Sequence, residues 1–166
     1  MKIILVGAGK VGHYIAKHLS SENNDITVID TNLEVLQNLG DELDVMCLKG
    51  NGKSSRALLE AGVKEADVLI AATAADEINM LCCLTGKRLG AKHAIARIRD
   101  PEYSYEMTML QKEMGIDLVI NPEYEAAHEI ARLLRFPTAA NIETFVNDRV
   151  EMVAFRISEK DSFAGE

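Results

Sequence analysis

Cysteine is scarce in this chain: only Cys47, Cys82 and Cys83 occur in 166 residues. An odd count with one adjacent pair gives neither a disulfide framework nor a C-x-x-C pair, and a reducing cytosol is the expected compartment. Long apolar runs are missing too, and nothing approaches the roughly 18 residues needed to span a bilayer. Basic blocks are absent: 18 Lys and Arg stand against 26 Asp and Glu, a net charge of −8. Phosphate-backbone binding needs clustered cations, so nucleic acid is excluded as the main partner, whereas a small basic pocket for one nucleotide is not. The four histidines are scattered, so no histidine-based metal site is expected. The first residues enter an apolar run directly, and no signal peptide is expected.

What is present is concentrated at the front. Lys2-Ile3-Ile4-Leu5-Val6 is a strand-like run, followed by Gly7-Ala8-Gly9-Lys10-Val11-Gly12. Val11, Ile15 and Leu19 then recur at helical spacing. A second apolar run, Ile26-Thr27-Val28-Ile29, ends at Asp30. Strand, glycine turn, helix, strand and an acid about 20 residues on form the dinucleotide fingerprint. In that reading Gly7 permits the tight turn, Gly9 lets the backbone approach a pyrophosphate, and Gly12 lets the helix pack close. The helix amino end offers free N–H groups and partial positive charge to phosphates. Asp30 would accept from the ribose hydroxyls and repel a 2′-phosphate, favouring NAD over NADP.

The alternation continues. Asn32 caps a helix through Leu33, Leu36 and Leu39; Val45 to Leu48 is a third strand, and Ser54 or Ser55 caps the next helix. Val68 to Ala72 is a fourth strand, Asp76 caps a helix ending at Gly90, and Ala94 to Ile98 is a fifth. Pro101 opens a helix running to about Met114, Leu118 to Ile120 is a sixth strand, and Pro122 starts a helix to about Arg135. Six strands alternating with helices predict an α/β, Rossmann-type, doubly wound parallel sheet. Residues 1–135 are expected to form one nucleotide-binding domain. Residues 136–166 read as a linker and a β-hairpin turning at Asn147-Asp148. Apolar groups on both faces of its second strand predict packing on another chain or on a missing continuation. The end at Glu166 carries no stop signal, so a truncated C-terminal lobe is expected.

Ligands of such sheets bind beyond the strands' carboxyl ends. That rule gathers Gly7 to Val11, Asp30, Gly50 to Gly52, Ala72 to Ala74 and Arg97 on one rim. Backbone groups of Thr73 and Ala74 face a ligand's middle, or form an ordinary turn. Arg97, a charge inside an apolar strand, is costly unless paired. It meets a phosphate bidentately or bridges to Asp100 or Glu123. Lys10 and His13 lie beside the phosphates or are merely exposed, and Asn51 edges an adenine or is a turn residue. Glu123 and Glu125 are helix-start acids, or Glu123 holds a cation bridging phosphates. Several catalytic motifs fail. Gly52-Lys53-Ser54 lacks the P-loop's earlier glycine, His128-Glu129 lacks the second zinc histidine, and no tyrosine has a lysine four residues on. No catalytic residue is identified. A dehydrogenase needs a second wall and a proton donor, so the alternative is an NAD-dependent oxidoreductase lacking its substrate domain.

Lys2 to Gly9, Glu22 to Asn32, Asp76-Glu77-Ile78-Asn79-Met80, Ala96-Arg97-Ile98-Arg99-Asp100-Pro101 and Ile120-Asn121-Pro122-Glu123 resemble the TrkA family. Its members are the cytosolic regulatory subunits of bacterial potassium uptake systems, with RCK/KTN domains. The resemblance implies a non-catalytic sensor of NAD or NADH, or of ATP and ADP in the same crevice. Its partner would be a transmembrane potassium transporter or channel subunit, at the inner face of the cell membrane. Homo-oligomers, dimers building a ring, would transmit the ligand signal to the gate. By position, the ligand contacts implied are Gly7, Ala8, Gly9, Lys10, Val11, Asp30, Thr73, Ala74 and Arg97, with no metal.

Overall fold

The computed structural model describes residues 1–104, 107–145 and 150–157. The chain divides into two compact units, Met1–Pro122 and Glu123–Glu166. The last helix therefore groups with the hairpin, whereas the sequence pattern placed the division at residue 135.

In the first unit, six strands alternate with helices as the apolar runs predict. They are β1 (Lys2–Val6), β2 (Asp25–Asp30), β3 (Met46–Lys49), β4 (Val68–Ala71), β5 (His93–Arg97) and β6 (Leu118–Ile120). All five pairings are parallel, in the order β3-β2-β1-β4-β5-β6. The order reverses between β1 and β4, which is where such sheets open a crevice. The helices are α1 (Lys10–Ser20), α2 (Leu33–Glu42), α3 (Ser55–Glu60), α4 (Asp76–Leu89) and α5 (Met107–Met114).

Successive strand side chains point to opposite faces, and here both faces are covered. Ile3 and Leu5 pack with Ala16 of α1 and with Leu36 and Leu39 of α2. Ile4 and Val6 pack with Leu58 of α3 and with Met80 and Cys82 of α4. Two-sided burial explains why these strands read as continuous apolar runs instead of alternating ones.

At the strands' amino ends, two aspartates hold the entering backbone. Asp67 Oδ2 accepts from Lys2 N at 2.9 Å, and Asp117 Oδ2 accepts from Ala94 N at 2.7 Å. Lys92 hydrogen-bonds the Asp67 carboxylate and holds its pKa below the usual value, with Lys2 N adding to the effect. Burial pushes the Asp117 carboxyl up, but the Ala94 N–H and the Lys87 ammonium outweigh it and the net shift is downward.

Two local expectations need correction. The segment after Pro101 is not one helix but a 3-10 turn, Pro101–Ser104, and then α5. Asp76 is not a cap: Ala75 occupies that position, without a side-chain bond. Asn32 does cap α2, accepting from Glu34 N at 3.0 Å and Val35 N at 3.4 Å. Ser54 takes the cap position of α3 without a side-chain bond.

The second unit holds α6 (Pro122–Arg135) after its first residue, and an antiparallel hairpin of β7 (Ala139–Phe145) and β8 (Val150–Phe155). The expected turn at Asn147-Asp148 lies outside the described residues. Arg135 Nη1 donates to Glu151 Oε1 at 3.0 Å, tying the helix end to β8. Phe145, Met152 and Phe155 of the hairpin and Ile130, Leu133 and Leu134 of α6 are exposed.

Candidate functional site at the carboxyl ends of the strands

The glycine turn leaves β1 at Gly7, whose φ of +101° suits a residue without a side chain. A Cβ there would lie 2.9 Å from Thr73 N and 3.0 Å from Ala72 C. The turn after β1 and the turn after β4 are thus in direct contact. A Cβ on Gly12 would stand 1.9 Å from Gly7 O, so α1 lies against the turn itself. Around Gly9 the situation is the opposite, with nothing within 4 Å of a Cβ. Gly9 caps α1 without a side-chain bond, and the first turn of α1 carries no acid. The open backbone and the uncompensated helix end match what a pyrophosphate needs.

Asp30 ends β2 and orders this turn. Its Oδ2 accepts from Ala8 N at 2.7 Å and its Oδ1 from Asn32 N at 2.9 Å. Its carbonyl accepts from Gly50 N at 2.9 Å, which draws in the turn after β3. A carboxylate has about four acceptor positions, so each oxygen retains capacity for a ribose hydroxyl.

The other half of the rim is built by the first turn of α4. Asn79 is fully buried. Its Oδ1 accepts from Thr73 N at 2.8 Å and from Thr73 Oγ1 at 2.7 Å. Its Nδ2 donates to Thr73 O at 3.2 Å and to Arg97 O at 2.8 Å. Asp76, also buried, accepts at Oδ2 from both Arg99 N and Asp100 N at 2.8 Å. The Arg99 guanidinium sits beside Asp76 Oδ1 and donates to Ala74 O. Arg97 is 8% exposed, and its Nη1 donates to Thr73 O at 3.4 Å. The N–H and carbonyl of Thr73 and the carbonyl of Ala74 are therefore engaged within the protein.

Asn79, Asp76 and Arg99 escaped the sequence-based assignment of the site. A signal was present. Asn79, Cys83 and Gly86 share one buried stripe of α4, and an asparagine on such a stripe must find buried partners.

Lys10 is exposed and Val11 half-buried, both at the start of α1. His13 Nε2 lies 3.2 Å from Glu42 Oε2, joining α1 to α2. Asn51 is a turn residue whose Oδ1 accepts from Lys53 N at 3.1 Å. Glu123 and Glu125 stand in the first turn of α6, in the second unit. Burial pushes the thiols of Cys82 and Cys83 up to about 11 and about 12. Those thiols stay protonated and belong to the core.

The TrkA-N domain profile matches residues 3–122, the whole six-stranded unit but its first two residues. This chain belongs to the TrkA-N family. The TrkA-N unit and its extension are 40% identical over 159 residues to the Trk system potassium uptake protein TrkA of Haemophilus influenzae, covering 94% of this chain and 35% of that protein. A TrkA homolog of Archaeoglobus fulgidus is 36% identical over 159 residues, covering 96% of this chain and 36% of its own length. The chain thus spans about a third of the curated relatives it matches. Among solved structures, the TrkA-N domain of the inner membrane protein ybaL from Escherichia coli superposes with a TM-score of 0.70 at 22% identity, over 80% of this chain and 96% of that one. The GsuK channel bound to NAD superposes at 0.67 and 20% identity, over 88% of this chain and 25% of that one. GsuK has also been solved bound to ADP. Among the described residues no helix is long and apolar enough to cross a membrane.

Proposed function

We propose that this domain is the nucleotide-sensing part of a regulator of potassium transport, not an enzyme. NAD or NADH, or ADP and ATP, would bind in the crevice between the turns after β1 and β4. The observation that carries the reading is the pairing of an open turn at Gly9, free of acidic side chains in the first turn of α1, with the Asp30 carboxylate that fixes it. In this reading Gly7, Ala8, Gly9, Lys10 and Val11 receive the phosphates, Asp30 accepts from the ribose, and Arg97 neutralises phosphate charge. Thr73 and Ala74 form the floor. The matches to Trk uptake proteins support potassium transport as the process. The NAD-bound and ADP-bound GsuK structures support the ligand class.

Gating by such a ligand requires unequal affinity for two assembly states. The exposed apolar residues of α6 and the hairpin supply a surface for homo-oligomers, dimers building a ring beneath a transmembrane potassium transporter. Calorimetric titration with NAD, NADH, ADP and ATP tests the reading, with Asp30→Ala as control. Binding of at least one ligand, lost in the variant, is expected. NADP should bind at least about tenfold more weakly than NAD, because its 2′-phosphate would meet Asp30. Absence of binding by all four would refute the sensor.

A further inference from the structure

The Thr73 carbonyl receives two donors, Asn79 Nδ2 at 3.2 Å and Arg97 Nη1 at 3.4 Å. A carbonyl oxygen has two lone pairs, so its capacity is filled. The two contacts differ in kind. The guanidinium contact is at the long, weak end of hydrogen-bond geometry. The amide that makes the other one is fully buried and is anchored again on Arg97 O at 2.8 Å. A third and a fourth contact bind its Oδ1 to the N–H and hydroxyl of Thr73. Asn79 thus joins the turn after β4 to the last residue of β5 from within the core.

We propose that Asn79 is a positioning residue for the nucleotide, acting through Arg97. It holds the Thr73 carbonyl and the Arg97 main chain from below. The Arg97 guanidinium can then exchange Thr73 O for a ligand phosphate without releasing the turn. With Asn79 removed, the guanidinium becomes the remaining side-chain donor to that carbonyl among these contacts. A phosphate that took it would leave a partly buried acceptor without that support, and such a loss is unfavourable. Ligand affinity then falls, although Asn79 itself never touches the ligand. The inference rests on the reading that the crevice binds nucleotide with Arg97 facing the phosphates.

A double-mutant cycle tests it, with ADP affinity measured by calorimetry on the whole chain. Asn79→Ala is expected to weaken ADP by about tenfold in the native background. In the Arg97→Ala background the same change should cost less than about twofold, since the group it acts through is gone. Equal losses in both backgrounds, or no loss in a folded Asn79→Ala, would overturn the proposal. If circular dichroism shows that Asn79→Ala does not fold, Asn79→Asp takes its place. The carboxylate keeps an acceptor for Thr73 but presents an oxygen where Asn79 offered donors to two carbonyls. Its ADP affinity should recover as falling pH protonates the new carboxyl and restores one donor, and a pH-independent loss would overturn the proposal. Wild-type protein that binds none of the four nucleotides removes the binding reading and this inference together. Wild-type binding with additive losses removes this inference alone.

Discussion

At the scale of single residues, Gly12 and the paired cysteines carry the clearest consequences. A methyl group on Gly12 would press on Gly7 O at 1.9 Å, and both partners are backbone. Relief requires α1 to move away from the turn that it helps to form. Gly12→Ala should therefore lose stability of about 1–3 kcal/mol, the range for overpacking, and weaken nucleotide binding along with it. Urea melts and calorimetry on one preparation check both. Cys82 and Cys83 titrate at about 11 and about 12 when folded, against an ordinary 9.0. A raised thiol pKa means that the folded state keeps protons the unfolded state loses. The stability tied to these thiols is complete below pH 9 and declines from there through the folded values, by up to about 1.4 kcal/mol per pH unit for each thiol. A Cys82→Ala, Cys83→Ala double variant should show a shallower alkaline decline. In the native protein at pH 8, iodoacetamide should label Cys47 before either of them, since Cys47 is the half-buried thiol of the three.

At the scale of elements, Asp117 shows how one side chain fixes a strand. It accepts from Ala94 N at 2.7 Å, at the start of β5. Asp117→Ala strips that buried N–H of its partner, which costs about 1–3 kcal/mol at neutral pH. Because the Asp117 pKa is lowered from 3.8, its contribution is present above that value and vanishes as pH falls through the folded pKa. The variant should accordingly lose less stability than the wild type on acidification below pH 4, in urea midpoints measured across that window. The elements themselves were legible in the sequence for a plain reason. β1, β2, β4 and β5 are buried on both sides, so continuous apolar runs could only be strands of a covered parallel sheet. Asp30 and the glycine turn were legible because their chemistry is local to one βαβ unit. Arg97 stood out as a charge in an apolar strand. Asp76 was misread for the converse reason. An acid at a helix start suggests a cap, but its partners are the N–H groups of Arg99 and Asp100, on the far side of α4 and β5 in the chain. Asn79 was passed over likewise, since its partners at Thr73 and Arg97 meet only after β4 and β5 pair. Nor does any residue among those described announce that the segment at Pro101 opens as a 3-10 turn.

At the scale of the whole molecule, the proposed sensor role makes ligand binding and assembly the two quantities to measure. A nucleotide at 100 times its dissociation constant stabilises the folded state by about 2.7 kcal/mol. For a unit of this size that is a rise of several degrees in melting temperature, and scanning fluorimetry with each nucleotide should rank them in order of affinity. The exposed Leu134 of α6 and Met152 of β8 should promote self-association. Sedimentation velocity is expected to show concentration-dependent oligomers that Leu134→Glu with Met152→Glu reduces. Unchanged oligomers in that variant would move the assembly surface away from the second unit.

The place of β1 in the sheet bears on how the chain is made. Within this unit the first strand in chain order is a central one, flanked by β2 and β4. Its partner on one side arrives within the next 30 residues, but the other is not complete until Ala71. In the interval a three-stranded fragment presents the bare edge of Ile3 to Val6, apolar on both faces. Such an edge invites pairing with any other nascent strand. Pauses in synthesis between β3 and β4 should therefore raise the aggregated fraction more than equal pauses after β4, and destabilising β4 should harm the yield of soluble protein more than its effect on the finished fold would suggest.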